Sequence, residues 1–110
     1  MLFRSTSGVL KNAIDYVYAE WNNKAAGFVG YGSLGAARAV EQLRQIVGEL
    51  QIADVRAQVA FTLTEDFENY STFVPRSHHE STVGMLFEQV ESWSTALQSV
   101  RVPALESVSA

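Results

Sequence analysis

The chain contains no cysteine. That absence excludes disulfide bridges, thiolate metal ligands and cysteine nucleophiles together, and argues against a disulfide-stapled secreted module. It also lacks a basic block. Eight Lys and Arg against twelve Asp and Glu leave a net charge of −4 over 110 residues. Nothing gathers positive charge into a track along a phosphate backbone, so nucleic acid is not an expected partner. No apolar run approaches the roughly eighteen residues of a membrane span, and the opening "MLFRSTSG" has no signal-peptide core. The expectation is a soluble cytoplasmic protein, without a membrane partner, built as a single domain over residues 1–110.

What the chain does have is an alternation of helical and extended patterns. From Gly8 to Trp21, Leu10, Ala13, Ile14, Val17 and Trp21 recur at steps of three and four, predicting an amphipathic helix capped by Ser7 or Ser5. "NNK" at 22–24 supplies turn chemistry after it. "AAGFVGY" at 25–31 is short and apolar throughout, the pattern of a strand covered on both faces in a parallel sheet. Ala36, Val40, Leu43, Val47 and Leu50 predict a second helix. "VRAQVAFTL" at 55–63 alternates, as an edge strand with one wetter face does.

The sixteen residues "TEDFENYSTFVPRSHH" form a connection long enough to imply a working or mobile loop. Val83, Leu86, Phe87, Val90, Trp93, Leu97 and Val100 then predict a third helix, with 102–110 as a flexible tail. The order α-β-α-β-α is the rhythm of β-α-β crossovers in an α/β layer fold. Two strands are few for a stable sheet, so a pairing partner for the first strand is missing.

"GYGSLGAARA" at 30–39 is the stretch with the most chemistry in it. Glycine at the C-terminal end of a parallel strand permits positive φ and lets backbone amides approach a ligand, and open α/β sheets bind ligands at that edge. A strand-to-helix turn that touches nothing explains the same residues. A phosphate cradle fits worst, since neither a P-loop ending nor a full dinucleotide fingerprint is present.

Other candidates have plain readings. His78, His79 and Glu80 are adjacent and diverge, so they do not predict a metal site, and Ser77 with Glu80 fits a capping box. Glu65, Asp66 and Glu68 read as a solvated loop face. Phe67, Tyr70 and Phe73 suit packing of the loop or stacking on a flat ring. Arg38 suits a surface acid or an anionic group, and Trp21 and Trp93 fall at core-facing positions. No Ser-His-Asp arrangement is legible, and no catalytic side chain is assigned.

"SGVLKNAIDYV", the apolar strand ending in "GYGS", and "GAARAVEQLR" together resemble the C-terminal half of the NADPH-dependent FMN reductase family, from about Arg4 to Thr64 and more loosely through the last helix. The resemblance implies a partial flavodoxin-like three-layer fold lacking the first three strands, with FMN and NADPH or NADH as cofactors. It implies flavin contact at Ser5, Tyr31, Gly32, Ser33 and Gly35, with Ala36 where the family often has a second glycine. Ser5 and Gly8 fit the positions after the family's Tyr-Asn pair, whereas Leu2 and Phe3 stand where that pair would be. Met1, Leu2 and Phe3 read as a new start on an older frame.

Hydride transfer between nicotinamide and flavin requires stacking and shielding by the protein rather than a catalytic side chain. The function implied is that of an NAD(P)H-dependent FMN reductase of which this chain carries part of the flavin site; the alternative is a non-catalytic remnant acting through association. Self-association is expected in either case, because the first strand has an unpaired edge.

Overall fold

The computed structural model describes residues 5–109, with side-chain detail through Arg101. The positions of Met1, Leu2 and Phe3 lie outside the described residues. In chain order the elements are helix α1 (Gly8–Asp15), a 3-10 turn (Ala19–Trp21), strand β1 (Lys24–Gly32), helix α2 (Ala37–Glu49), strand β2 (Ile52–Thr62), the short strands β3 (Phe67–Glu68) and β4 (Thr72–Phe73), and helix α3 (His79–Ser109). β1 and β2 pair in parallel, from Lys24 opposite Ile52 to Gly32 opposite Thr62, with a register slip between Ala26 and Phe28. α2 is the crossover between them. The chain is therefore mixed α/β with a parallel sheet, as a partial flavodoxin-like fold requires.

The two sides of the sheet are held differently. On one, Arg44 of α2 pairs with Asp54 at 2.5 Å, donates to the Val55 carbonyl at 2.9 Å, and lies over the Phe28 ring at 5.2 Å. One guanidinium thus ties the crossover helix to the start of β2 and the middle of β1. On the other, Leu86 of α3 packs with Ala57 and Val59 of β2, and Phe61, Val83 and Val90 close around them. Gln89 accepts from the Ala57 amide at 2.8 Å, and Arg101 donates to the Asn23 carbonyl at 2.8 Å, fixing α3 along the sheet. β2 shows the expected alternation, with Val55, Ala57 and Val59 buried and Arg56 exposed.

β1 departs from expectation. A strand covered on both faces was the reading of "AAGFVGY", yet Val29 is 64% and Tyr31 72% exposed. α3 covers only the Gly27 end, where Leu86 and Val90 come within 3.1 Å of the position a Cβ would take. Beyond that point α3 leaves the strand uncovered, and Val29 and Tyr31 border an open groove with Phe61, Phe67 and Phe73. The apolar composition of the strand matches a covering that the described residues do not supply.

The helices also differ from their patterns. The first ends at Asp15 instead of continuing to Trp21, because the Trp21 indole N–H donates to the Ile14 carbonyl at 3.0 Å and folds the following residues back over the helix end. Tyr16, Val17 and Tyr18, all mediocre helix formers, make that turn inexpensive. Ser7 caps the start as expected, accepting from the Leu10 amide at 3.1 Å. α1 nevertheless buries no residue, so its apolar stripe lacks a partner among the described residues.

In α3, Phe87 and Trp93 are exposed, contrary to the core position expected of Trp93. The helix extends past Val100 to Ser109, through most of the segment expected as a tail. It begins at His79, and the Glu80 amide meets the Ser77 carbonyl at 3.2 Å rather than its side chain, so the capping box is replaced by a backbone turn.

Candidate functional site

The loop after β1 is shaped by small residues nested against each other. Gly32 (φ +148°), Gly35 (φ +64°) and Ala36 (φ +61°) all have positive φ, and α2 starts at the next residue. The Gly32 carbonyl accepts from the Gly35 amide at 3.2 Å and from the Leu63 amide at 3.1 Å, tying the turn to the end of β2. A Cβ at Gly30 would stand 2.6 Å from the Gly35 oxygen, and one at Gly35 would stand 2.6 Å from the Ala60 Cβ. Gly30 and Gly35 are thus required by the loop's descent onto the sheet, whether or not a ligand is present.

Gly32 is different. A Cβ there would meet only the Ala36 amide, at 3.8 Å, so its surroundings are open. Of the residues expected to contact a cofactor, the structure places Tyr31, Gly32 and Ser33 in a row at the C-terminal end of β1, with Tyr31 and Ser33 exposed. Gly35 is buried under them, and Ser5 stands exposed ahead of α1. Arg38 is exposed on the first turn of α2 and forms no ion pair with a described residue, so the surface acid expected for it is not found.

Beside the loop, Val29, Tyr31, Phe61, Phe67 and Phe73 line an open groove of about 370 Å³ with apolar walls. Phe73 meets Phe61 edge-on at 5.0 Å and Phe67 at 5.2 Å, and the Tyr31 and Phe67 rings are 6.5 Å apart. Phe67 and Phe73 therefore pack the connection onto the body, as their plain reading required, while keeping ring faces available. Tyr70 takes no part; it sits at the hairpin tip with φ +57° and is exposed.

The long connection is a hairpin, β3 against β4, organised around Asp66, which is buried and not part of a solvated loop face. Asp66 is 1% exposed. Its carboxylate accepts from the Thr62 amide at 3.0 Å, the Arg76 amide at 2.9 Å and His79 Nε2 at 2.9 Å. Glu65 and Glu68 are exposed as expected. The Asp66–His79 pair joins the end of β2 to the start of α3 and accounts for the histidine that sequence spacing left without a role. Among the described residues no three His, Asp or Glu side chains converge as a metal site would require. The partner of Asp66 lies thirteen residues away across a hairpin, and no local pattern announces it.

Burial alone would raise the Asp66 pKa, but the Arg76 and Thr62 amides and His79 outweigh it, leaving the carboxyl below its ordinary value of 3.8. A carboxyl with a depressed folded-state pKa contributes stability that is fully present above the unfolded value and lost as pH falls through the folded one. The chain is therefore expected to lose stability on acidification below about pH 3.8. Asp66→Asn, less stable than the parent at neutral pH, should converge with it in acid. Urea midpoints from pH 7 to pH 2.5, an interval of roughly that breadth being what the titration demands, check this; parallel curves would contradict it.

No helix among the described residues is long and apolar enough to cross a membrane. The profile of the family described as NADPH-dependent FMN reductase matches residues 2–66. Among curated proteins, an NAD(P)H-dependent FMN reductase of Schizosaccharomyces pombe is 38% identical over 58 residues, 53% of this chain and 29% of that protein. One from a Nectria species is 33% identical over 63 residues, 54% of this chain and 31% of its own. One from Saccharomyces cerevisiae is 42% identical over 43 residues, 39% of this chain and 22% of its own. The aligned part is less than a third of each relative's length. No solved structure matches the chain.

Proposed function

This chain belongs to the NADPH-dependent FMN reductase family, and we propose that it carries the C-terminal part of that family's flavin site. The element order supports the assignment: a helix precedes a strand of sheet-interior composition, and a crossover helix and parallel strand follow. The observation that carries the reading is the open row Tyr31, Gly32 and Ser33 at the C-terminal end of β1, where α/β sheets bind their ligands.

The residues fit the ring of a flavin better than its phosphate. The Gly32–Ser33 backbone, free of a Cβ at Gly32, lets the edge of a flat ring approach, and the exposed Tyr31 ring offers it an apolar face. Gly35 acts beneath this surface by letting the loop lie close on Ala60. Ser5 adds a hydroxyl from the start of α1. Arg38 is the nearby cation, on a helix whose N-cap, Ala36, makes no side-chain hydrogen bond. A bound flavin supplies the hydride chemistry, exchanging it with NAD(P)H, while the chain's own work is to orient the ring and exclude water from one side of it. The cytoplasmic location read from the sequence belongs to the same proposal.

Weak binding follows, since a ring edge held by one loop lacks most of the enclosure that a small-molecule site supplies. FMN is expected to bind more weakly than about 1 μM, the equivalent of roughly −8 kcal/mol, as followed by quenching of flavin fluorescence. Riboflavin, which has the ring without the phosphate, should bind about as well. In NMR titrations both should shift the amides of Tyr31, Gly32, Ser33 and Gly35 before any in α3. Micromolar affinity with a strong preference for FMN would refute the division between ring and phosphate. Shifts that miss the loop would refute the site.

A further inference from the structure

The hairpin between β2 and α3 is too small to hold itself. β3 and β4 pair over two residues each, Phe67 opposite Phe73 and Glu68 opposite Thr72, and an isolated two-stranded ribbon is marginal in water at best. Its tip adds strain, because Asn69 (φ +52°) is followed by Tyr70 (φ +57°) in the left-handed region that favours glycine. What closes the hairpin is its base. The Asp66 carbonyl accepts from the Val74 amide at 2.7 Å, the Asp66 carboxylate accepts from the Arg76 amide and from His79 Nε2, each at 2.9 Å, and Arg76 Nε donates to the Glu65 carbonyl at 3.0 Å. Residues 65–79 supply every group in that closure.

From this clamp a row of rings leads to the glycine loop. His79 meets Phe61 edge-on at 4.6 Å, Phe61 meets Phe73 at 5.0 Å, Phe73 lies 5.2 Å from Phe67, and Phe67 lies 6.5 Å from Tyr31. Phe67 adjoins Asp66 and Phe73 adjoins Val74, so the 2.7 Å bond between those two neighbours fixes where both rings begin.

We propose, resting on the flavin reading, that Asp66 and His79 are positioning residues for ring binding: their buried pair locks the hairpin so that Phe67 and Phe73 stand beside Tyr31 as one wall of the flavin-ring site. The glycine loop admits the edge of a flat ring, whereas the phenyl rings offer it apolar faces. Position matters here. A gap of about 0.5–1 Å already forfeits a quarter to a half of a dispersion contact, so a hairpin free to swing would lose much of what its rings contribute. His79 acts through the bond to Asp66 and through its own ring against Phe61. Glutamine at this position keeps a donor of similar reach; leucine keeps apolar bulk and loses the donor.

The test is an NMR titration of the full chain with riboflavin, together with amide hydrogen exchange of each variant without ligand. His79→Leu should speed exchange at the Val74 and Arg76 amides about tenfold or more, leave the β1–β2 ladder protected, and weaken riboflavin roughly three- to tenfold. His79→Gln should stay near the parent in both respects. Phe67→Ala should weaken riboflavin by a similar factor while Val74 and Arg76 keep their protection, and it decides the matter should His79→Leu fail to fold. A merely structural role would lower protection in the β1–β2 ladder as much as at Val74 and leave the affinity of the folded chain unchanged. That result overturns the proposal, as does a glutamine variant that behaves like the leucine one. A parent whose Tyr31, Gly32 and Ser33 amides ignore riboflavin overturns the flavin reading and the proposal together. One that binds there while His79→Leu and Phe67→Ala bind as tightly overturns the proposal alone.

Discussion

Leu86→Ala is expected to lower the stability of the chain by about 2–5 kcal/mol, the range for a buried leucine whose cavity the surroundings do not fill. Leu86 is 6% exposed and forms one cluster with Ala57 and Val59. Its side chain also lies against Gly27, where a Cβ would be 3.1 Å from Leu86 Cγ. Gly27 and Ala57 cannot extend into the vacated space, and only Phe61, Val83 and Val90 at its border could shift toward it. The cluster is the apolar part of the attachment of α3 to the sheet, while single domains are stable by only about 5–15 kcal/mol in total. Phe87→Ala makes the contrast. Phe87 is larger but 65% exposed, and its removal should cost no more than about 0.5 kcal/mol. Urea denaturation of both variants decides the matter; equal losses would mean that α3 presents a different face to the strands.

Gly35→Ala should be nearly as costly, for a different reason. At φ +64° an L-residue pays about 1–2 kcal/mol relative to glycine. In addition, the new methyl would sit 2.6 Å from the Ala60 Cβ and 3.3 Å from its Cα, so the loop must lift from β2. Overpacking of this kind adds about 1–3 kcal/mol. The neighbouring position should respond in the opposite sense. Ala36 occupies φ +61° with a Cβ, and Ala36→Gly is expected to gain up to about 1 kcal/mol, the relief of strain exceeding the extra freedom of the unfolded chain. Thermal unfolding of the pair measures both signs. If Gly35→Ala were neutral, the nesting of the loop on Ala60 would be wrong, and with it the placement of Tyr31 and Ser33 above.

The Asp66 hub shows where sequence reasoning failed. Flanked by Glu65, Phe67 and Glu68, Asp66 has the local company of a surface residue. Its burial follows from His79 and the Arg76 amide, which reach it after the chain has turned through a hairpin and begun a helix. The long connection was legible as special by its length, but not as a hairpin, since β3 and β4 are two residues each and make no periodic signal. The glycine loop was legible as a turn at a strand's end. Which glycines serve packing and which leave room for a ligand was not, because that depends on Ala60, Ala36 and Leu63 arriving from elsewhere.

By itself the sequence determined the alternation of helix and strand, a serine cap at Ser7 or Ser5 for the first helix, the alternating burial of β2 and the family to which the chain belongs. All of these rest on periodicity or on short contiguous motifs, which survive without knowledge of distant neighbours. Only the tertiary structure decided that α1 ends at Asp15, that Val29 and Tyr31 stand uncovered, that Trp93 faces outward and that Asp66 is buried. Burial is a property of what else is packed nearby, and an apolar residue is compatible with a core position without requiring one. In this chain the apolar pattern of β1 and α1 records a covering, whereas the described residues leave it open.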